Sequence, residues 1–158
     1  ADMLVLSYYR TYGLNATISR STNNYGPHQS VRALIPLVIT NILKNKQIPV
    51  FGSGKNIRDW LYVKDHVKAI DLILHNGTIG EIYNISGKSK KTNISVIKQI
   101  LKIMNADESL ICYTKDRPGH DLKYSINSKK LEKELYWVRD YDFNEGIKET
   151  IDWYLKNK

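Results

Sequence analysis

Apolar residues recur at intervals of three or four positions along much of the chain, which predicts helices with one apolar face. The segments with this spacing are residues 1–12, 32–45, 64–76, 95–104, a short stretch that begins at Ser128, and about 144–156. In the third segment Val67, Ile70 and Leu74 share one face, and Gly77 follows its end as a C-cap. Pro36 fits the second helix only in its first turn, where no backbone N–H is needed.

Short runs rich in β-branched and aromatic residues lie between the helices and predict strands. They occupy residues 16–20, 48–51, 57–62, 81–85 and 110–113. Because helices and strands alternate, we expect an α/β fold in one compact unit. Ser95 is the predicted N-cap of its helix, and Gly13 the C-cap of the first helix. No capping side chain precedes that first helix, since Ala1 begins the sequence, and we expect the polypeptide to continue upstream.

Composition narrows the class of protein and its compartment. A length of 158 residues suits one domain. The formal net charge of +8 raises the question of nucleic acid, but the lysines fall mostly between apolar positions of predicted helices, so we predict no nucleic-acid partner. The apolar runs are too short to cross a bilayer, and we expect no membrane association. The single cysteine, Cys112, cannot form an internal disulfide, and with no secretory signal we expect a cytoplasmic protein.

Three polar loops follow predicted strands, where α/β proteins assemble ligand sites. The first is Asn23-Asn24-Tyr25-Gly26-Pro27, whose two carboxamides each offer a hydrogen-bond donor and an acceptor. Asn, Gly and Pro are also common turn residues, so an ordinary turn is the preferred explanation of this loop when it is taken alone.

The second loop sets Phe51 before a glycine-rich turn and Arg58 after it. The aromatic ring can stack on a nucleotide base, and the guanidinium can bind phosphate through paired hydrogen bonds. The alternative is a hairpin in which Phe51 joins the core and Arg58 pairs with Asp59 or Asp65.

The third loop, residues 116–121, contains Arg117 as a second phosphate candidate and His120 as a polar contact or titrating group. A surface turn explains this loop as well. Three such loops, each after a strand, together favour a binding site over three unrelated turns.

Signatures of catalysis are missing from the sequence. It contains no Gly-x-Gly-x-x-Gly turn and no Tyr-x-x-x-Lys pair in a plausible catalytic setting. Cysteine and histidine are too few and too scattered for zinc, and no nucleophilic triad can be assembled. We therefore predict neither a catalytic nor a metal-binding residue in this chain, and expect it to be inactive alone.

Five motifs follow one another along the chain. They are Arg20-Ser21-Thr22-Asn23-Asn24-Tyr25-Gly26-Pro27, Leu34-Ile35-Pro36-Leu37-Val38-Ile39, Arg58-Asp59-Trp60-Leu61-Tyr62-Val63-Lys64-Asp65-His66, Tyr83-Asn84-Ile85 and Arg117-Pro118-Gly119-His120-Asp121. In this order they resemble the C-terminal half of the dTDP-glucose 4,6-dehydratase family of extended short-chain dehydrogenases/reductases. The resemblance implies a small substrate-binding domain, mostly residues 28–158, and the C-terminal edge of a Rossmann-type domain, residues 1–27. The rest of that domain, missing here, would carry the glycine-rich NAD turn, the Tyr and Lys, and the acid/base carboxylates.

The resemblance also implies roles for single residues. The substrate-binding residues would be Asn23, Leu34, Pro49, Phe51, Arg58, Asn93, Arg117 and His120. Asn24 would contact the nicotinamide side of NAD. Arg58 and Arg117 resemble the pyrophosphate ligands, and the family usually has tyrosine in place of Phe51. It also has lysine in place of Ala33, a phosphate contact for which we expect Arg32 to compensate.

Members of this family use bound NAD to oxidise the sugar at carbon 4, eliminate water across carbons 5 and 6, and return the hydride to carbon 6. For the full-length protein the resemblance implies this reaction, a dTDP- or UDP-glucose substrate, and a homodimer. Two alternatives stay open: a UDP-glucose 4,6-dehydratase or related epimerase or decarboxylase, and a non-catalytic nucleotide-binding module. The Arg117–Asp121 motif argues against the epimerase, and the uncapped first helix argues against an independent module.

Overall fold

A computed structural model describes residues 1–157 of the chain. Within that range the α-helices are α1 (Asp2–Tyr12), α2 (Leu34–Leu43), α3 (Val63–Asn76), α4 (Asn93–Ile103), α5 (Lys129–Glu134) and α6 (Phe143–Lys156). The strands are β1 (Ile18–Ser21), β2 (Asn23–Tyr25), β3 (Ile48–Phe51), β4 (Ile57–Tyr62), β5 (Ile82–Ile85), β6 (Lys90–Thr92), β7 (Ile111–Thr114) and β8 (Lys123–Tyr124). A short 3₁₀ helix at Glu108–Leu110 leads into β7. The predicted α/β fold is confirmed.

The strands form three small sheets with mostly parallel pairing. In two of them β1 pairs with β5 and β3 pairs with β7, both in parallel. In the third, β4 is central: β2 lies parallel to its C-terminal part, while β6 and β8 pair with its N-terminal part, β6 antiparallel and β8 parallel. The first residue of β2, Asn23, therefore lies beside Trp60 in the middle of β4.

Most predicted elements lie within two residues of their observed bounds. Pro36 is the third residue of α2, within its first turn, and Gly13 ends α1 in the left-handed conformation. The predicted cap of α4 was wrong by three residues: Thr92, not Ser95, is the N-cap, and its side chain accepts a hydrogen bond from the Ser95 backbone N–H. A threonine with extended backbone fills the same capping role.

Three short strands were not predicted, because they depend on partners distant in the sequence. Residues 23–25 were expected in a polar loop, yet they pair with β4 as β2. The strands β6 and β8, of three and two residues, carry lysines and no apolar alternation. Pairing with β4 decides their conformation, because pattern and propensity alone give no signal for it.

The larger hydrophobic core lies between α2, α4 and α6 and the strands β2, β3 and β4. Ile39, Ile100 and Ile147, one from each helix, are fully buried in it. Tyr25 and Trp60 pack edge to face at its centre, with ring centroids 6.2 Å apart. This core lies beside the loops that carry the predicted site residues.

A smaller core lies beneath β1 and β5 and is covered by α3 and α5. It contains Ala69, Ile73 and Tyr83, which are nearly or fully inaccessible. The stripe of Val67, Ile70 and Leu74 on α3 is exposed instead, although apolar periodicity would place it inside. The buried face of α3 is the neighbouring one, which contains Ala69 and Ile73.

The first helix also leaves its apolar side chains exposed. Among the described residues none in α1 is buried, and Met3, Leu4 and Tyr12 are each more than half exposed. No helix within residues 1–157 is long and apolar enough to span a membrane. The division of the chain at residue 27 stays a prediction. Residues before and after this position pack together, since β1 pairs with β5 and contacts α3.

Candidate functional site

An open cavity of about 210 Å³ lies where β3, β4 and the starts of α2 and α4 meet the loop after β7. Its lining residues are Asn23, Arg32, Leu34, Leu37, Pro49, Val50, Phe51, Gly54, Arg58, Trp60, Asn93, Ile97, Arg117 and His120. All eight predicted substrate-binding residues are in this set. The structure thus brings together side chains from positions 23 to 120, while their individual roles stay predictions.

The aromatic wall of the cavity is formed by Phe51 at the end of β3. Its side chain is 45% exposed, so it is not the core residue of the hairpin alternative. The Arg117 guanidinium carbon lies 5.6 Å from the centroid of the Phe51 ring. At this distance a cation is attracted to the aromatic face. The wall therefore combines a flat ring and a positive charge.

Arg58 is held by backbone carbonyl groups. Its Nη1 donates to the carbonyl oxygens of Ile57 at 2.8 Å and Asp121 at 3.0 Å. The pairing with Asp59 or Asp65 that the alternative required is not formed, since Asp59 binds Ser86 and Ser89, and Asp65 binds backbone N–H groups of residues 140 and 141. Carbonyl groups orient the guanidinium and leave its charge uncompensated.

Positive charge in the cavity comes from Arg32, Arg58 and Arg117. Within residues 1–157 none of these three forms an ion pair with a carboxylate. The start of α2 adds to the same potential, because its first turn has neither an acidic residue nor a side-chain cap. Such an arrangement suits an anion with several oxygens.

The imidazole of His120 is nearly inaccessible to solvent, although the residue lies in a polar loop. Its side chain is 4% exposed, and its Nδ1 lies 2.6 Å from Oδ1 of Asp116. This hydrogen bond lowers the pKa of the Asp116 carboxyl, which is therefore ionised at neutral pH. Asp116 was not among the predicted site residues.

Two buried polar atoms at the cavity have no hydrogen-bond partner among the described residues. They are Oδ1 of Asn93, an acceptor, and Nε1 of Trp60, a donor. Trp60 faces Asn23 across the β2–β4 pair, so the two side chains lie at the same level of the sheet. An unpaired buried polar group costs free energy, so these two atoms favour a ligand that offers both a hydrogen-bond donor and an acceptor.

Asn24, the predicted cofactor contact, does not line this cavity. Its Nδ2 donates to Ser21 Oγ at 3.0 Å and to the Thr22 carbonyl at 3.3 Å. Its Oδ1 is buried without a hydrogen-bond partner within residues 1–157. The side chain is thus fixed by its amide nitrogen and retains a free acceptor oxygen.

Five lining residues besides Arg32 were missed, and spacing could have found three of them. Leu37 and Ile97 lie one helical turn after Leu34 and Asn93. Trp60 lies two positions after Arg58 on β4, hence on the same strand face. Val50 lies between two predicted residues of β3, and alternation would place it on the opposite face. For Gly54 only its turn sequence gives a hint.

Comparison with known proteins gives consistent matches over the chain. The family model described as GDP-mannose 4,6 dehydratase matches residues 1–150. A dTDP-glucose 4,6-dehydratase from Escherichia coli is 45% identical over 169 aligned positions, which cover 100% of this chain and 47% of the relative. One from Haemophilus influenzae is 43% identical and is covered over 50% of its length.

The solved structure of a dTDP-glucose 4,6-dehydratase from Streptomyces venezuelae, with NAD bound, is similar at a TM-score of 0.97 and 41% identity. The match covers 99% of this chain and 48% of that one. The chain therefore spans about half the length of the curated relatives that it matches. The sequence and structural matches together place it in the GDP-mannose 4,6-dehydratase family, in which it corresponds to the C-terminal half of the dTDP-glucose 4,6-dehydratases.

Proposed function

We propose that this chain binds a pyrimidine nucleoside diphosphate sugar, with dTDP-glucose as the substrate, as the substrate-binding portion of an NAD-dependent 4,6-dehydratase. One observation carries the proposal: three guanidinium groups without carboxylate partners and an exposed aromatic ring line one cavity. A diphosphate matches the guanidinium groups, and a pyrimidine matches the ring. The names of the relatives supply the sugar and the base.

In this proposal the cavity residues divide by chemistry. Arg58 and Arg117 bind the pyrophosphate, and Arg32 contributes charge where the family usually has lysine one position later. Leu34, Pro49 and Phe51 contribute apolar side chains to the wall and form the site for the base. The polar contacts to the rest of the nucleotide sugar come from Asn23, Asn93 and His120.

NAD enters the proposal as the cofactor of the whole enzyme. The free buried oxygen of Asn24 fits a contact with a donor group such as the nicotinamide carboxamide. When bound, NAD would supply the oxidation and re-reduction of the sugar. This chain contributes one candidate contact, and we propose that the other half of the protein holds most of the cofactor and the catalytic groups.

The exposed apolar faces support the same division. A two-stranded parallel sheet is rare alone, because parallel sheets are normally covered on both faces by helices and extended by further strands. Here β1 and β5 form such a pair, and the apolar stripes of α1 and α3 beside it are exposed. We propose that these surfaces contact the rest of a Rossmann-type domain, and that the full-length enzyme is a homodimer.

Calorimetric titration of the chain with dTDP, UDP and thymidine tests the proposed ligand. We expect dTDP to bind, and thymidine to bind far more weakly because it lacks the diphosphate. Because one methyl in an apolar pocket is worth about 1–3 kcal/mol, dTDP should bind a few-fold to roughly a hundredfold more tightly than UDP. If thymidine bound as tightly as dTDP, the proposed diphosphate site would be wrong. A clear preference for UDP would instead favour a UDP-glucose 4,6-dehydratase.

A further inference from the structure

Asp116, in the loop after β7, has no role in the nucleotide contacts proposed above. Asp116 lies four residues before His120 and its Oδ1 contacts Nδ1 of the imidazole at 2.6 Å. The same Oδ1 accepts a hydrogen bond from the backbone N–H of Arg117 at 2.9 Å. One oxygen thus joins two residues of the cavity wall.

The carboxylate is also packed against the turn that follows Phe51. Gly52 has φ of +57°, and a Cβ at this position would lie 2.7 Å from Oδ2 of Asp116. The backbone N–H of Gly52 donates to the carbonyl of Thr114, at the start of the same loop. Asp116 therefore lies in the loop that carries Arg117 and packs against the turn that follows Phe51.

The bond to Asp116 decides what the imidazole can offer a ligand. An ionised carboxylate is only an acceptor, so the neutral ring must carry its proton on Nδ1, and Nε2 is then an acceptor. Within residues 1–157 no hydrogen-bond partner contacts Nε2.

We propose that Asp116 is a positioning residue of the nucleotide site, which fixes His120 in the tautomer with the proton on Nδ1 and presents Nε2 as an acceptor to a hydrogen-bond donor of the nucleotide. The donors of such a ligand are its sugar hydroxyl groups and the N–H of its base. Its phosphates are acceptors and go to the arginines. This inference rests on the proposed function.

Asp116→Asn tests the inference, because asparagine keeps the shape but can donate to Nδ1 and move the ring proton to Nε2. Calorimetry should show about tenfold weaker dTDP binding, the loss of one hydrogen bond to a buried group. Asp121→Asn is the matched control. It removes the same charge from the same loop, its side chain makes no hydrogen bond among the described residues, and the backbone carbonyl that Arg58 contacts is kept.

The two variants separate positioning from electrostatics. Removing a negative charge near an anion site strengthens anion binding, so Asp121→Asn should bind dTDP equally or more tightly. In a His120→Ala background, Asp116→Asn should have little further effect, since the pair acts as one unit. Tighter binding by Asp116→Asn, or an undiminished loss in the His120→Ala background, would overturn the inference.

Nitrogen-15 NMR of the imidazole reads the tautomer in the unmutated chain. The signal that disappears in His120→Ala identifies this residue among the 4 histidines. We expect Nδ1 to carry the proton, and a ring protonated on Nε2 would reject the inference even if Asp116→Asn did not fold. If the unmutated chain binds no dTDP, the proposed function fails and the ligand role of Asp116 fails with it. Normal binding with an unaffected Asp116→Asn variant rejects the positioning role alone.

Discussion

At the scale of single residues, the cavity depends on how each arginine is held. Arg58 is oriented by two carbonyl oxygens, whereas Arg117 lies over the Phe51 ring on an exposed loop. Neither arrangement cancels the charge. Arg58 is held in place on a strand, whereas we expect Arg117 to lose side-chain freedom when a ligand binds.

Replacing either arginine with alanine should weaken dTDP binding roughly tenfold or more, since a hydrogen bond to a charged group is worth about 1.5–3 kcal/mol. Calorimetry measures the loss, and circular dichroism checks the fold. Arg20→Ala is a suitable control, because Arg20 pairs with Asp2 and does not line the cavity. Unchanged affinity in both Arg58→Ala and Arg117→Ala would contradict the proposal that these two residues bind the pyrophosphate.

At the scale of elements, α6 is joined to the β4–α3 junction by one carboxylate. Oε2 of Glu149 accepts hydrogen bonds from Tyr62 and Lys64, both at 2.7 Å. The hydrogen bond from Lys64 is the main cause that lowers the pKa of Glu149. The Tyr62 hydroxyl pKa is raised, chiefly by burial and then by its bond to Glu149, so this hydroxyl remains a donor at neutral pH.

The stability that Glu149 contributes should depend on pH. Because its pKa is lower in the folded state, the contribution is complete above the unfolded pKa of about 4.3 and is lost as pH falls through the folded value. Glu149→Gln should therefore lower the free energy of unfolding at pH 7, by about 0.5–1 kcal/mol for a half-exposed pair. Urea titrations at pH 7 and pH 3 measure it. The difference from the unmutated chain should shrink at pH 3, and a loss that is constant with pH would contradict the ionic origin.

Glu134→Gln provides the control for that measurement. Glu134 is an exposed residue of α5 and forms no ion pair within residues 1–157. Its substitution removes the same charge from another helix, so the unfolding free energy should change little at either pH.

At the scale of the whole molecule, the two cores differ in how well they are covered. Helices α2, α4 and α6 pack on the larger core, while apolar side chains of α1 and of the outer face of α3 belong to neither core and lie in solvent. Contiguous apolar patches on a soluble chain mark surfaces that bind another protein surface. The proposed nucleotide cavity lies beside the larger core.

The chain alone should therefore self-associate or bind a dye that is sensitive to exposed apolar surface. Replacing Leu4 and Tyr12 on α1 and Leu74 on α3 with polar residues should reduce dye binding, and analytical ultracentrifugation should show less association. Thr11, Lys68 and Asp71 are polar positions on the same helices for control substitutions. A monomer without dye binding would count against the proposed contact with a missing half.

The sequence by itself determined the alternation of helices and strands and the α/β class, because turn residues, caps and apolar spacing act locally. The eight predicted residues of the cavity came from the resemblance of its motifs to a known family. The sequence did not determine β2, β6 and β8, whose conformation depends on pairing with β4. Only the tertiary structure decided that Arg58 binds carbonyl groups rather than Asp59, since Ser86 and Ser89 occupy that carboxylate. It also decided which face of α3 is buried. That choice depends on what packs against the helix, and periodicity reports only that one face is apolar.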